Sequence, residues 1–240
     1  MTRLLVVGDS LAFHGPLGPL PADDSRLWPN IAAAQLGTGR AELIAGFGWT
    51  ARDAWWAVTG DPRFWAALPR VDVLVLAVGG MDTLPSPLPT YLRQGLRYLR
   101  PDGLRRQART AYLGLQPLLA TVLRGRPVAL PPRLTGRYLD DCVRAVRAIR
   151  PGLPVVGMLP PVHRSPAYGY VHTGRAAGAR AIQSWARRHG AALLDAPALV
   201  SAHVLGGQGN PDGLHWGFAA HADVGRTLAE LVGSLRAGHT

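Results

Sequence analysis

Lysine is absent from this chain. All 26 basic residues are arginine, set against 15 acidic ones, for a formal charge of +11. Arginine bias alone can reflect a GC-rich genome, so its distribution is more informative than its total. There is one cysteine, Cys142, which excludes an internal disulfide framework and any zinc finger built on cysteine pairs. No uninterrupted apolar run approaches the roughly eighteen residues of a membrane-spanning helix. Met1-Thr2-Arg3 leads straight into strand-like sequence, not into a charged segment followed by a long apolar one. A soluble, cytoplasmic protein is the expectation. No internal repeat and no aromatic-rich nucleic-acid module is visible. His14, His163, His172, His189, His203 and His221 are scattered without ligand spacing. They are expected mostly at the surface, with no bound metal and no cofactor.

At 240 residues and 48% hydrophobic content, the chain suits one domain with a substantial core. Short apolar, β-branched runs at 3–8, 42–45, 71–78, 153–158 and 192–194 predict strands. Helical periodicity between them, at 28–36, 51–58, 62–68, 137–150, 173–189 and 217–236, completes the alternation of an α/β fold. Asp61 before Pro62 predicts an N-cap with proline at the first helical position, and Thr135 or Gly136 precedes the arginine-rich helix. Cys142 falls on that helix as a core residue.

Residues 84–136 break the alternation. A proline-rich opening, a basic helical portion and a second proline-rich stretch are too long for a plain connection and predict a helical cap inserted over the site. Thirteen of the arginines lie between Arg93 and Arg150, against only Asp102, Asp140 and Asp141. Such a field favours an anionic partner, and a small anionic substrate fits better than nucleic acid. Leu92, Leu96, Leu99, Leu113, Leu118, Leu119 and Leu123 either line an acyl pocket or form the core of this insertion.

The chemistry lies at the two ends of the chain. Gly8-Asp9-Ser10 follows the first strand, and Asp212-Gly213-Leu214-His215 precedes the last helix. Open α/β sheets build their sites at the carboxyl ends of their strands. A serine hydroxyl is a weak nucleophile until an imidazole takes its proton and a carboxylate fixes that imidazole's tautomer. Ser10, His215 and Asp212 supply these roles, in the chain order Ser, Asp, His. Each piece alone is common: Gly-Asp-Ser also makes turns, and an aspartate three residues before a histidine also makes helix caps. Their positions at one sheet edge are what point to catalysis.

With these residues in view the sequence resembles the SGNH hydrolase superfamily, the GDSL lipases and esterases. Gly8-Asp9-Ser10-Leu11, Gly48-Trp49-Thr50, Gly79-Gly80-Met81-Asp82 and Asp212 to His215 match its four blocks in order. The resemblance implies a three-layer α/β/α sandwich on a mainly parallel five-stranded, flavodoxin-like sheet, forming one domain over 1–240. It implies Ser10 as nucleophile, His215 as general base and acid, Asp212 as its orienter, and the Ser10 and Gly48 N–H groups as an oxyanion hole. Met81 departs from the pattern, because it stands where the family carries an asparagine and a thioether offers no donor. Trp49 or an arginine of the insertion is a candidate replacement. Asp9, Trp49 and Asp82 are candidate substrate-binding residues, Asp82 also as a loop tie.

Longer strings, Leu27-Trp28-Pro29-Asn30, Gly48 to Trp56, Asp61-Pro62-Arg63, Gly79 to Pro85 and Gly209 to Trp216, resemble one group within that superfamily. These are the actinobacterial diglucosylglycerate octanoyltransferases, to which Met81 conforms. That resemblance implies an octanoyl-CoA donor, a diglucosylglycerate acceptor and a place in methylglucose lipopolysaccharide synthesis in mycobacteria and their relatives. Phosphates and a carboxylate suit an arginine-rich partner. Trp49, Trp55, Trp56 and Trp65 offer flat faces for sugars or bulk for a core. The residues themselves leave three readings open: a transferase, an esterase of acylated glycosides or lipids, and a non-catalytic saccharide binder.

Overall fold

Period-two burial along β1 (Leu4–Gly8) sets the architecture, since Leu5 and Val7 enter one core while Leu4 and Val6 enter another. A strand apolar on both faces has to be covered on both. The computed structural model describes residues 1–88, 95, 98 and 100–237. Four further strands flank β1: β2 (Glu42–Ala45), β3 (Val73–Ala77), β4 (Val155–Met158) and β5 (Ala192–Leu194). They form one parallel sheet in the order β2-β1-β3-β4-β5. This is the doubly wound, flavodoxin-like order, which leaves its crevice at the carboxyl ends of the strands.

Helices cover both faces. On one side lie α2 (Ala51–Gly60), α3 (Pro62–Ala67), α5 (Pro132–Ile149) and α6 (Arg175–His189), packed around Phe64, Leu139, Val143 and Trp185. On the other lie α1 (Trp28–Gln35), α7 (Ala196–Leu205) and α8 (Phe218–Ala237), closed around Trp28, Trp216 and Leu228. The result is the expected α/β/α sandwich on a five-stranded parallel sheet. Asp61 caps α3 by accepting from Arg63 N, with Pro62 at the first position. Cys142 is buried on α5.

The sequence reading misplaces the start of one helix by five residues and misses another. The arginine-rich helix α5 begins at Pro132 and not at 137, because proline at the first helical position needs no N–H partner and extends the helix through Thr135 and Gly136. Helix α7 was not anticipated at all. Its sequence Ala-Pro-Ala-Leu-Val is apolar all round and shows no helical period, so its start depends on Asp195, which accepts from Ala198 N, followed by Pro197.

The excursion after β3 is closed at its base. Ala129 N donates to Leu84 O at 2.9 Å and Ser86 N to Pro127 O at 2.8 Å, around an antiparallel bridge between Pro85 and Val128. Beyond that bridge runs α4 (Asp102–Val122), which packs on the 3-10 turn Pro166–Tyr168. Gly169 is required there: a Cβ would fall 2.6 Å from Pro117 O and 2.5 Å from the Thr121 hydroxyl. Leu113, Leu118 and Leu123 are exposed and Leu119 is half-buried. Leu92, Leu96, Leu99 and Arg93 lie outside the described residues. Among those described, no helix is long and apolar enough to cross a membrane.

Candidate active site

Strand β1 ends at Gly8, and the next three residues turn into a short 3-10 helix, Ser10–Ala12. Asp9 starts it: its Oδ1 accepts from Leu11 N at 3.0 Å, and the Trp28 indole N–H donates to Leu11 O at 3.0 Å. Ser10 is thereby held at the sheet edge, only 3% exposed. Its hydroxyl lies 2.8 Å from His215 Nε2, and His215 Nδ1 lies 2.6 Å from Asp212 Oδ2. A residue pair 205 positions apart is thus brought into hydrogen-bond contact. The three expected residues meet in the geometry of a serine nucleophile, its base and the base's orienter.

The loop carrying His215 is fixed from several sides. Asp212 Oδ1 accepts from Leu214 N at 2.8 Å and from His215 N at 3.0 Å, while Asn210 Oδ1 accepts from Asp212 N. Gly213 has φ of +67° and lies so close to the segment after β4 that a Cβ would fall 2.1 Å from Arg164 O. Arg164 N in turn donates to Gly213 O at 2.7 Å. The Arg164–Tyr170 segment is thereby joined to the site through backbone contact. Burial works against the Asp212 charge, but hydrogen bonds from His215 and two backbone amides hold its carboxyl at about 2.

A second layer of histidines supports the first. The His14 ring stacks on His215 with centroids 3.7 Å apart and planes 19° from parallel. His14 Nδ1 donates to Gly15 O, and burial together with the nearby His215 charge pushes its pKa down. His221 Nε2 donates to His14 O at 3.2 Å while its Nδ1 accepts from Trp28 N. That arrangement needs one proton only, and burial holds His221 at about 4, so it is neutral. His163 and His172 face each other at 4.3 Å, with His172 on the Thr83 hydroxyl, and burial lowers them to about 4 and about 3. Of the histidines expected at the surface, His14, His163 and His221 are thus buried and His172 is half-buried.

Gly48 adopts φ of +66° between β2 and α2. Thr50 starts α2, its N–H and hydroxyl both donating to Asp53 Oδ2. Met81 is buried, and its methyl group would lie 3.8 Å from a Cβ on Gly48, so a thioether occupies the neighbourhood of the expected oxyanion donors. Trp49 is half-buried with its indole folded over Gly46, where a Cβ would fall 2.1 Å from Nε1.

Asp9 and Asp82 face inward rather than toward a substrate. Asp82 is 1% exposed, accepting from Ala51 N at 3.0 Å and from the Thr135 hydroxyl at 2.7 Å. It ties the third block to the starts of α2 and α5, the loop tie that its position suggested. Burial pushes both carboxyls up to about 7, partly offset by the hydrogen bonds they accept. The Asp82 position is explained by folding, one oxygen accepting from a backbone amide and the other from a hydroxyl.

Residues 6–222 match the GDSL-like lipase/acylhydrolase family. Two proteins named diglucosylglycerate octanoyltransferase are similar over 95% of the chain. That of Mycolicibacterium hassiacum is 55% identical, with 94% of its length covered, and that of Mycobacterium tuberculosis 51% identical, with 91% covered. Among solved structures, Est24, a carbohydrate acetylesterase from Sinorhizobium meliloti, superposes with a TM-score of 0.62 at 15% identity. The match covers 98% of this chain and all of that one.

Proposed function

The chain belongs to the GDSL-like lipase/acylhydrolase family, and from that premise we propose that it is an acyltransferase moving an octanoyl group to a glucose hydroxyl of diglucosylglycerate. The observation that carries the reading is the hydrogen-bonded line Ser10–His215–Asp212. The acyl group and acceptor come from the two relatives more than half identical to it. The donor we assign is octanoyl-CoA, which would place the reaction in the cytoplasm, early in methylglucose lipopolysaccharide synthesis.

In the first step His215 Nε2 takes the Ser10 proton as Oγ bonds to the thioester carbonyl carbon. The tetrahedral oxyanion collapses, the C–S bond breaks, and His215 returns the proton to the departing thiolate. In the second step a glucose hydroxyl gives its proton to His215 and attacks the octanoyl-serine. The C–Oγ bond breaks and Ser10 regains its proton. Asp212 stabilises the imidazolium in both steps, and the Ser10 and Gly48 N–H groups face the oxyanion. Not every arginine is available to an anionic substrate. Arg147 and Arg150 are spent on backbone carbonyls and Arg188 on Asp140. Arg106, Arg109, Arg124 and Arg126, on and after α4, are exposed.

The test is incubation of the purified protein with octanoyl-CoA, with and without diglucosylglycerate, followed by mass spectrometry of the small molecules and the protein. Octanoylated sugar with little free octanoate is the expected outcome. Octanoate released equally with and without the sugar would make the protein an esterase, and no acyl-enzyme at all would make it a binder.

A further inference from the structure

Two depressions bear on the candidate site, one bordering His215 and one ending at Trp49, the chain neighbour of Gly48, and their linings differ in chemistry. One follows a single face of α2: Asp53, Trp56, Ala57 and Gly60 recur at helical spacing, with Trp49 at the near end and Asp61 and Arg63 at the far end. It is an open surface depression of about 610 Å³. At 1.5 Å per residue, Asp53 to Gly60 spans about 10 Å, close to the length of two linked hexose rings. Its floor is cut away, for nothing lies within 4 Å of a Cβ built on Gly60. Trp56 is 51% exposed, with the Arg52 guanidinium 4.7 Å from its ring. Asp61 is held as an anion by Arg63, whose Nε and Nη2 donate to it.

The other depression, of about 240 Å³, borders His215 and the segment after β4. Arg164, Tyr170, Val204 and Pro211 contribute to it, and no carboxylate does. In the sheet order, the strand that precedes α2 and the strand that precedes the Arg164 segment lie on opposite sides of β1.

Two indoles, small residues between them and fixed carboxylates suit a neutral polyol: the rings stack on C–H faces and the carboxylates accept from hydroxyls. We propose that the α2 groove is the sugar subsite, holding the glucose units of the acceptor against Trp49 and Trp56, and that the donor enters from the His215 side. The identity of the acceptor rests on the transferase reading above. The class of ligand rests on the groove itself.

Trp56→Ala is the decisive variant, since the exposed side chain can be removed without opening the core. Calorimetric titration of Ser10→Ala with diglucosylglycerate measures binding in the absence of turnover. Adding Trp56→Ala should weaken that binding about five- to tenfold, the range of a lost stacking contact, and Trp56→Phe should recover most of it. In transfer assays the acceptor KM should rise by a similar factor, and by more than the donor KM. Unaltered sugar binding in the double variant, a rise confined to the donor KM, or no sugar binding by Ser10→Ala would each overturn the subsite. Failure of the transferase reading is read separately. Wild-type protein that transfers nothing to the sugar, while Ser10→Ala binds it through Trp56, would leave the groove standing without the reaction.

Discussion

Asp212→Asn is the most revealing single change, because the local backbone dictates which way the new amide has to point. Asp212 Oδ1 accepts from two amides, Leu214 N and His215 N, while Oδ2 faces His215 Nδ1 at 2.6 Å. An asparagine has one acceptor oxygen, and both backbone donors claim it. Its NH2 group is then left facing Nδ1. A donor in that place requires Nδ1 to be the unprotonated nitrogen, so the proton resides on Nε2, and His215 donates to Ser10 when it should accept. The expected loss in acylation rate is about ten thousandfold, the scale of a wrong tautomer in a serine triad, although volume and backbone hydrogen bonds are nearly preserved. Single-turnover release of p-nitrophenol from p-nitrophenyl octanoate measures that step directly, with circular dichroism to verify the fold. A variant within about tenfold of the wild type would refute the argument that Asp212 sets the tautomer.

His14→Ala removes the ring stacked on His215 and should lower kcat about two- to tenfold, the range of one aromatic contact. His14→Phe should restore most of it, and equal losses in both would show that stacking is irrelevant. Asp82→Asn tests the buried carboxyl through pH. Burial, with the nearby Asp53 and Asp9 charges adding to it, holds Asp82 at about 7 in the folded state. The folded protein therefore binds that proton more tightly than the unfolded chain. The stability this confers is complete below the ordinary carboxylate pKa and is lost as pH rises through about 7. The amide does not titrate, so Tm of the variant minus Tm of the wild type should increase between about pH 4 and pH 8. A difference that stays flat with pH would place the Asp82 proton elsewhere.

The strands were legible because each is a short, mostly apolar run, and 42–45 and 192–194 match to the residue. The Ser, Asp and His positions were legible because their local strings sit where a parallel sheet exposes its carboxyl edge. What could not be read is what depends on contact between distant segments. Nothing near His14 hints that its ring meets His215, or that His221 holds its carbonyl; those bonds exist only once β1 and α8 are adjacent. Asp82 gave a mixed signal, since an acidic residue in the third family-like block suits a ligand or a tie equally, and only the Thr135 hydroxyl 53 residues away decides. Helix α7 escaped because an all-apolar sequence carries no period.

Met81 bears on why a site built like a hydrolase would favour a sugar over water. Its methyl group lies beside Gly48, where an amide donor would otherwise assist the oxyanion. Lacking one such donor costs about 2.7 to 4 kcal/mol in the transition state, and the deficit applies to acylation and deacylation alike. Water brings no binding energy to offset it. A bound acceptor does, since a hydroxyl held in attack geometry acts at an effective concentration of about 10⁵ M or more. On the transferase reading, the weakened oxyanion hole slows hydrolysis and transfer of the octanoyl-serine by the same factor, so the preference for sugar over water comes from the bound acceptor, which keeps transfer fast where hydrolysis becomes slow. That selectivity requires the acceptor to be anchored near Gly48, and the Trp49 end of the α2 groove adjoins that residue in the chain.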